Sequence, residues 1–217
     1  MNQRMWSVVV CCLFFGAPVV SRAEAVMPSL LSQFKSDDPN TRVVAFSSAV
    51  ARPNIEKDEA YEKAIIGLLQ TEIAYSANTP VAKLQDDDRW QLYYKNVIIT
   101  AAKLRRPDSV PTLLTVMEKS DEVTQALAGM APQTFYPVAE RTRDHNPAIR
   151  LAAVTALNEM LNPENESKIA DRALKHRMAK VLKRLLKDKN LNIQRTAQQA
   201  LEKLKPLQKR PESSYQP

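Results

Sequence analysis

Asn146-Pro147-Ala148-Ile149-Arg150-Leu151-Ala152-Ala153-Val154-Thr155-Ala156-Leu157 is the stretch that decides the fold. Positions 149, 153, 156 and 157 step by four, three and one, which places them on one face of an α-helix. Alanine at two of these positions lets a neighbouring helix come close. Asn146 can cap free amides at the helix start, and proline fits the first turn because its missing N–H is not needed there. Arg150 falls in that first turn, where the helix dipole disfavours a cation. It therefore calls for a structural partner in an adjoining unit.

The stretch has two relatives in the same chain. Residues 38–49 read Asp38-Pro39-Asn40-Thr41-Arg42 and continue through Ala45 to Ser48-Ala49. Residues 190–201 place Ile193, Ala197, Ala200 and Leu201 where the first stretch has Ile149, Ala153, Ala156 and Leu157, 44 residues earlier. This last copy has Leu191 in place of proline and Gln194 in place of arginine.

Asp-Pro-x-x-Arg-x-x-Ala-x-x-Ala-Leu resembles the first helix of the HEAT repeat, in the subtype shared with phycobilisome-lyase-like repeats. The 44-residue shift fits the period of about 40–47 of such helix pairs. The resemblance implies an all-α chain, an α-solenoid (superhelix) of about four to five helix pairs stacked on one another. Residues 146–157 match best, and Ser48 and Ala49 stand where alanine and leucine are usual.

Periodicity predicts the remaining helices at 29–35, 41–51, 58–75, 89–104, 109–119, 122–130, 134–143, 148–161, 167–187 and 191–204. Residues 76–88, polar and holding Pro80, read as an inserted loop, and 162–166 as a turn. Only three of the 217 residues are glycine and 6% are aromatic. Few turns can take a positive φ, which argues against β-hairpins and a β-sandwich.

The first 25 residues read as a leader. Arg4 supplies a positive start, 8–20 form an apolar run broken by Gly16 and Pro18, and Ala23-Glu24-Ala25 offers small residues for cleavage after Ala25 or Ala23. The apolar run is shorter than the roughly 20 residues of a spanning helix. The expected organisation is a leader at 1–25, a repeat domain at 26–205 and a disordered tail at 206–217, with the mature chain periplasmic or secreted. Both cysteines, Cys11 and Cys12, lie in the leader. A mature chain without them has no disulfide and no thiolate ligand or nucleophile.

The formal net charge of +7 is unevenly spread. Lys168 to Arg210 holds 14 lysines and arginines against Asp171, Asp188 and Glu202, whereas Val26 to Ser167 holds 15 against 19 carboxylates. Arg172, His176, Lys180, Lys183 and Lys187 step by four, four, three and four, forming a basic ridge that could dock an acidic partner. A second candidate surface is the aromatic group Trp90, Tyr93 and Tyr94, which could anchor a peptide or glycan from one helix face.

Catalytic signatures are scarce. His145 and His176 are not in an HxxxH or HExxH pattern. There is no Gly-x-Ser-x-Gly elbow and no glycine-rich phosphate loop. Asp86-Asp87-Asp88 lacks the alternation and the glycine of an EF-hand and reads as a helix start. No metal and no cofactor is expected. Asn165-Glu166-Ser167 matches a glycosylation sequon, which matters only in a eukaryotic secretory pathway.

The expected function is therefore a non-enzymatic protein–protein interaction or scaffold module of the cell envelope or secreted fraction. One alternative is an enzyme or enzyme accessory of the bilin-lyase-like branch. The other is nucleic-acid or anionic-polymer binding through the basic C-terminal helices. The leader and the lack of aromatics within the ridge argue against nucleic acid.

Overall fold

The computed structural model describes residues 30–52 and 58–209. The leader and residues 210–217 lie outside them. Regular structure among the described residues is helical, with no strand. In chain order the helices are α1 (Pro39–Val50), α2 (Glu59–Asn78), α3 (Val81–Gln85), α4 (Asp88–Leu104), α5 (Val110–Leu114), α6 (Asp121–Gly129), α7 (Phe135–Arg141), α8 (Pro147–Glu159), α9 (Pro163–Glu166), α10 (Arg172–Leu185) and α11 (Leu191–Lys209). Helical residues 30–33 precede α1, and 3-10 turns occupy Pro107–Ser109 and Ser167–Ile169.

Packing follows the chain. α1 contacts α4, α4 contacts α6, α6 contacts α8, and α8 contacts α11. α2 packs on α4, α7 on α8 and α10 on α11, while α5 touches α2, α4, α6 and α7. The repeated apolar positions lie at these junctions. Ala45, Ala49, Ala153, Ala156, Leu157, Ile193, Ala197 and Ala200 have no exposed surface. The small side chains permit the close helix approach read from the sequence. Ser48, where the other copies have a buried alanine, is exposed on α1.

The backbone turns left-handed at Arg105, the cap of α4, with φ 49° and ψ 37°. Its guanidinium lies over Gly129 at the end of α6. A Cβ on residue 129 would come within 3.1 Å of the Arg105 Cζ, so a larger residue there would push the arginine side chain aside by a few tenths of an ångström. Lys168 Nζ donates to the Gly129 carbonyl at 2.7 Å, tying the turn after α9 to the same place.

Several boundaries differ from the sequence reading. The segment 76–88 is not a loop: α2 continues to Asn78, and α3 follows Pro80. The helix expected over 109–119 stops at Leu114, where the Thr115 hydroxyl donates back to the Thr112 carbonyl at 2.7 Å. The long helix expected over 167–187 is divided, because Asp171 caps a new start by accepting from the Ala173 N–H at 2.8 Å. α11 runs through Pro206 to Lys209, so the first four residues of the expected tail are helical.

Candidate functional site

The three related stretches fold into one local design. Asp38 accepts from the Asn40 and Thr41 amides, Asn146 from the Ala148 amide, and Asn190 from the Asn192 and Ile193 amides. Two residues before each cap, a side-chain oxygen takes the cap's own N–H: Ser36 for Asp38, Asp144 for Asn146, and Asp188 for Asn190. The first-turn polar residue then reaches back over this turn. Arg42 donates to the carbonyls of Ser36 and Asp37, Arg150 to those of Asp144 and His145, and Gln194 to that of Asp188. These bonds lie within each residue's own turn, not in the adjoining unit where the sequence placed the partner of the first-turn cation.

Each arginine also meets a carboxylate further along the chain. Arg150 holds Asp188 through two bonds, at 2.8 and 3.0 Å. The hydrogen bonds from Arg150 keep the Asp188 carboxyl below its ordinary value, against the opposing effect of burial. Arg42 holds Glu72 at 2.5 and 3.1 Å, and both side chains are buried. Burial pulls the Arg42 guanidinium down, but the hydrogen bond and charge of Glu72 outweigh it and the net shift is upward. Glu72 also accepts from Trp90 Nε1 at 3.1 Å and from the Tyr93 hydroxyl at 2.9 Å. Arg42 further stacks over the Tyr75 ring, 5.3 Å from its centroid.

This network corrects the aromatic surface candidate. Trp90, Tyr93 and Tyr94 are 3%, 4% and 8% exposed, so they are core residues and do not form the exposed three-residue patch expected from the sequence. Trp90 stacks on Tyr94 at 5.0 Å, and Tyr93 meets Phe46 edge-on at 5.5 Å. Burial, followed by the Glu72 charge, drives the Tyr93 phenol far above its ordinary value. Burial and the Glu118 charge push Tyr94 up to about 12. The sequence reading missed Glu72. Its signal was an acid three residues beyond Leu69 on the apolar stripe of α2, a position that demands a buried partner. Asp87 caps α4 through the Trp90 N–H at 2.9 Å, the role expected for the aspartate run.

The basic ridge is open. Arg172, His176, Lys180, Lys183 and Lys187 are all exposed, and none forms an ion pair with a described residue. From Arg172 to Lys187 the sequence holds no carboxylate. Arg172 to Lys183 lie on α10 and span about 16 Å at 1.5 Å per residue, and Lys187 follows in the turn after the helix ends at Leu185. Arg177 and Arg184, on the same side of the helix, are satisfied by neutral groups: Arg177 donates to the Tyr136 hydroxyl, and Arg184 to Thr142 Oγ1 at 2.6 Å. Burial and then the Arg143 charge hold the Arg184 guanidinium below its ordinary value.

Other candidates resolve locally. Asn165 is 6% exposed, and its amide nitrogen donates to the Glu159 carbonyl at 3.1 Å, so the folded chain does not present the sequon nitrogen. Among the described residues no group of three or more His, Cys, Asp and Glu side chains is placed to hold a metal ion. No described helix is long and apolar enough to cross a membrane.

No family model matches the chain, and no curated protein matches it. Among solved structures, the crystal structure of an engineered protein aligns with 82% of this chain and 96% of its own, at 13% identity and a TM-score of 0.36.

Proposed function

We propose that this chain is an exported, non-enzymatic binding or scaffold protein, built as a solenoid of HEAT-like helix pairs, whose α10 ridge receives an acidic segment of a partner protein. The repeated capping turn, with its arginine reaching back and then forward to the next carboxylate, supports the repeat reading. The leader supports a place in the envelope or outside the cell.

The observation that carries the binding role is the uncompensated charge of α10. Like charges one turn apart destabilise a helix by about 0.2–0.5 kcal/mol per pair. Arg172 at the helix start is further opposed by the dipole. Only the cations of the last turn, Lys183 among them, gain from the helix dipole, whereas an acidic partner would gain both affinity and encounter rate from the whole ridge.

Crosslinking and pull-down from the native envelope test the role. Charge reversal by Lys180→Glu with Lys183→Glu should remove the captured partner; an unchanged partner set would reduce the ridge to a solvated face. Recovery of a dominant polyanion, such as nucleic acid, would favour the anionic-polymer alternative. Amino-terminal sequencing after cell fractionation tests the address, and a cytosolic protein that still begins at Met1 would rule out export.

A further inference from the structure

We infer a second docking site in the groove between α3 and α4, one that takes an extended peptide segment presenting a bulky apolar side chain beside a carboxylate. This site is independent of the α10 reading.

α3 buries none of its residues fully, so the core does not require it. It is held by the half-buried Leu84 side chain and by Gln91 Nε2, which donates to the Leu84 carbonyl at 2.6 Å. Yet α3 and α4 each turn a large apolar side chain to solvent at the same place: Val81 is 66% exposed and Leu92 is 63% exposed. Both border one cavity of about 480 Å³, floored by Trp90, Tyr94 and Ile98. That volume lies in the range of roughly 300–1,000 Å³ typical of small-ligand sites. The stacked Trp90–Tyr94 pair gives a rigid aromatic floor, whose edges are reached from the cavity although the rings are otherwise buried. Apolar walls around such a floor are the usual anchor of a protein contact, with water excluded by the rim.

Charge selects the occupant. The lining includes Lys95 and Lys119 and no carboxylate. Lys119 reaches Glu118 at 3.5 Å outside the lining, and the Glu122 carboxyl, lowered first by its hydrogen bond from the Ser120 hydroxyl, also feels the Lys95 charge. A carboxylate next to the apolar anchor would find these lysines on the cavity wall and no lining carboxylate to oppose it. Ser76 and Gln85 add hydrogen-bonding groups along the edge, which suit the N–H and C=O groups of an extended backbone.

The full chain carrying Trp6→Phe has Trp90 as its sole tryptophan and so reports from the groove. The probe is anilinonaphthalene sulfonate, which joins apolar rings to an anion. The expected result is saturable one-site binding with energy transfer from Trp90. Affinity should fall at least tenfold in Leu92→Asp or Val81→Asp and about threefold in Lys95→Glu. A capped hexapeptide with one leucine followed by two aspartates should displace the dye, and its leucine-to-serine version should not. Val81 and Leu92 are exposed, so these variants keep the fold, checked by thermal melting. Dye binding unchanged in both apolar variants overturns the proposal. So does displacement by neutral lipid vesicles alone, or binding that tracks dimer formation with protein concentration.

Discussion

Arg42 and Arg150 begin alike and end differently. Both sit in the first turn after an Asp-Pro or Asn-Pro start, and both reach back to the carbonyls five and six residues earlier. Arg150 then meets Asp188, on the turn before α11, with the pair 17% and 9% exposed. Arg42 meets Glu72 in the middle of α2, with the pair 2% and 0% exposed and two aromatic donors closing the carboxylate. One motif thus serves as a turn clamp at the C-terminal end and as a buried hub at the N-terminal end. The motif residue alone does not set the depth of the interaction. The position of the partner does.

The sharpest way to break the comparison is Glu72→Ala, which leaves the Arg42 cation buried and unpaired. A loss of about 3–5 kcal/mol in urea unfolding is expected. The paired replacement Arg42→Met with Glu72→Leu should recover part of it, since apolar residues can stand in for a buried ion pair but leave the Trp90 and Tyr93 donors without an acceptor. A double variant as unstable as the single one would show that the aromatic donors, rather than the ion pair, hold the hub.

Asp188→Asn is the matching change at the other end, and about 1.5 kcal/mol is expected for weakening a partly exposed charged hydrogen bond. Its pH signature is distinctive. The Asp188 carboxyl is depressed in the native state, so its contribution is complete above the unfolded value of about pH 4 and is lost as pH falls through the lower native value. Acid unfolding followed by circular dichroism should show a shallower loss below pH 4 in the variant than in the parent.

The smallest effect is expected on α10. Lys180→Glu with Lys183→Glu relieves like-charge neighbours but places an acid in the last turn of α10, and the two effects should cancel to within about 0.5 kcal/mol. A clear loss in the melting temperature would show that the ridge supports the fold after all.

The repeated first helix was legible because its cap, proline and alanine spacing are local. The arginine's need for a partner was legible as well, from the dipole conflict and the recurrence of the residue at Arg42 and Arg150. Its identity was not. Glu72 lies 30 residues from Arg42, and only packing places it there. The aromatic residues misled for a related reason: Trp90 and Tyr93 are amphipathic, and nothing in their spacing says that a buried carboxylate will take their N–H and O–H groups. α3 was hidden because five residues after a proline carry too little periodicity to be read. The ridge was readable from i, i+4 spacing, since a face without acids can only be solvent-facing or partnered.

The order in which α1, α2 and α4 appear along the chain has a consequence for folding. Contacts run mostly between near neighbours, a topology that favours rapid, local assembly. The Arg42 hub sets a minimum size on the first cooperative unit. A fragment ending before residue 72 would contain a cation with its turn formed and no anion to meet. One ending before residue 93 would have the carboxylate without the full set of aromatic donors. The amino-terminal third should therefore become protected from hydrogen exchange as one block, late relative to its own helices, whereas α11 can open by itself from the far end.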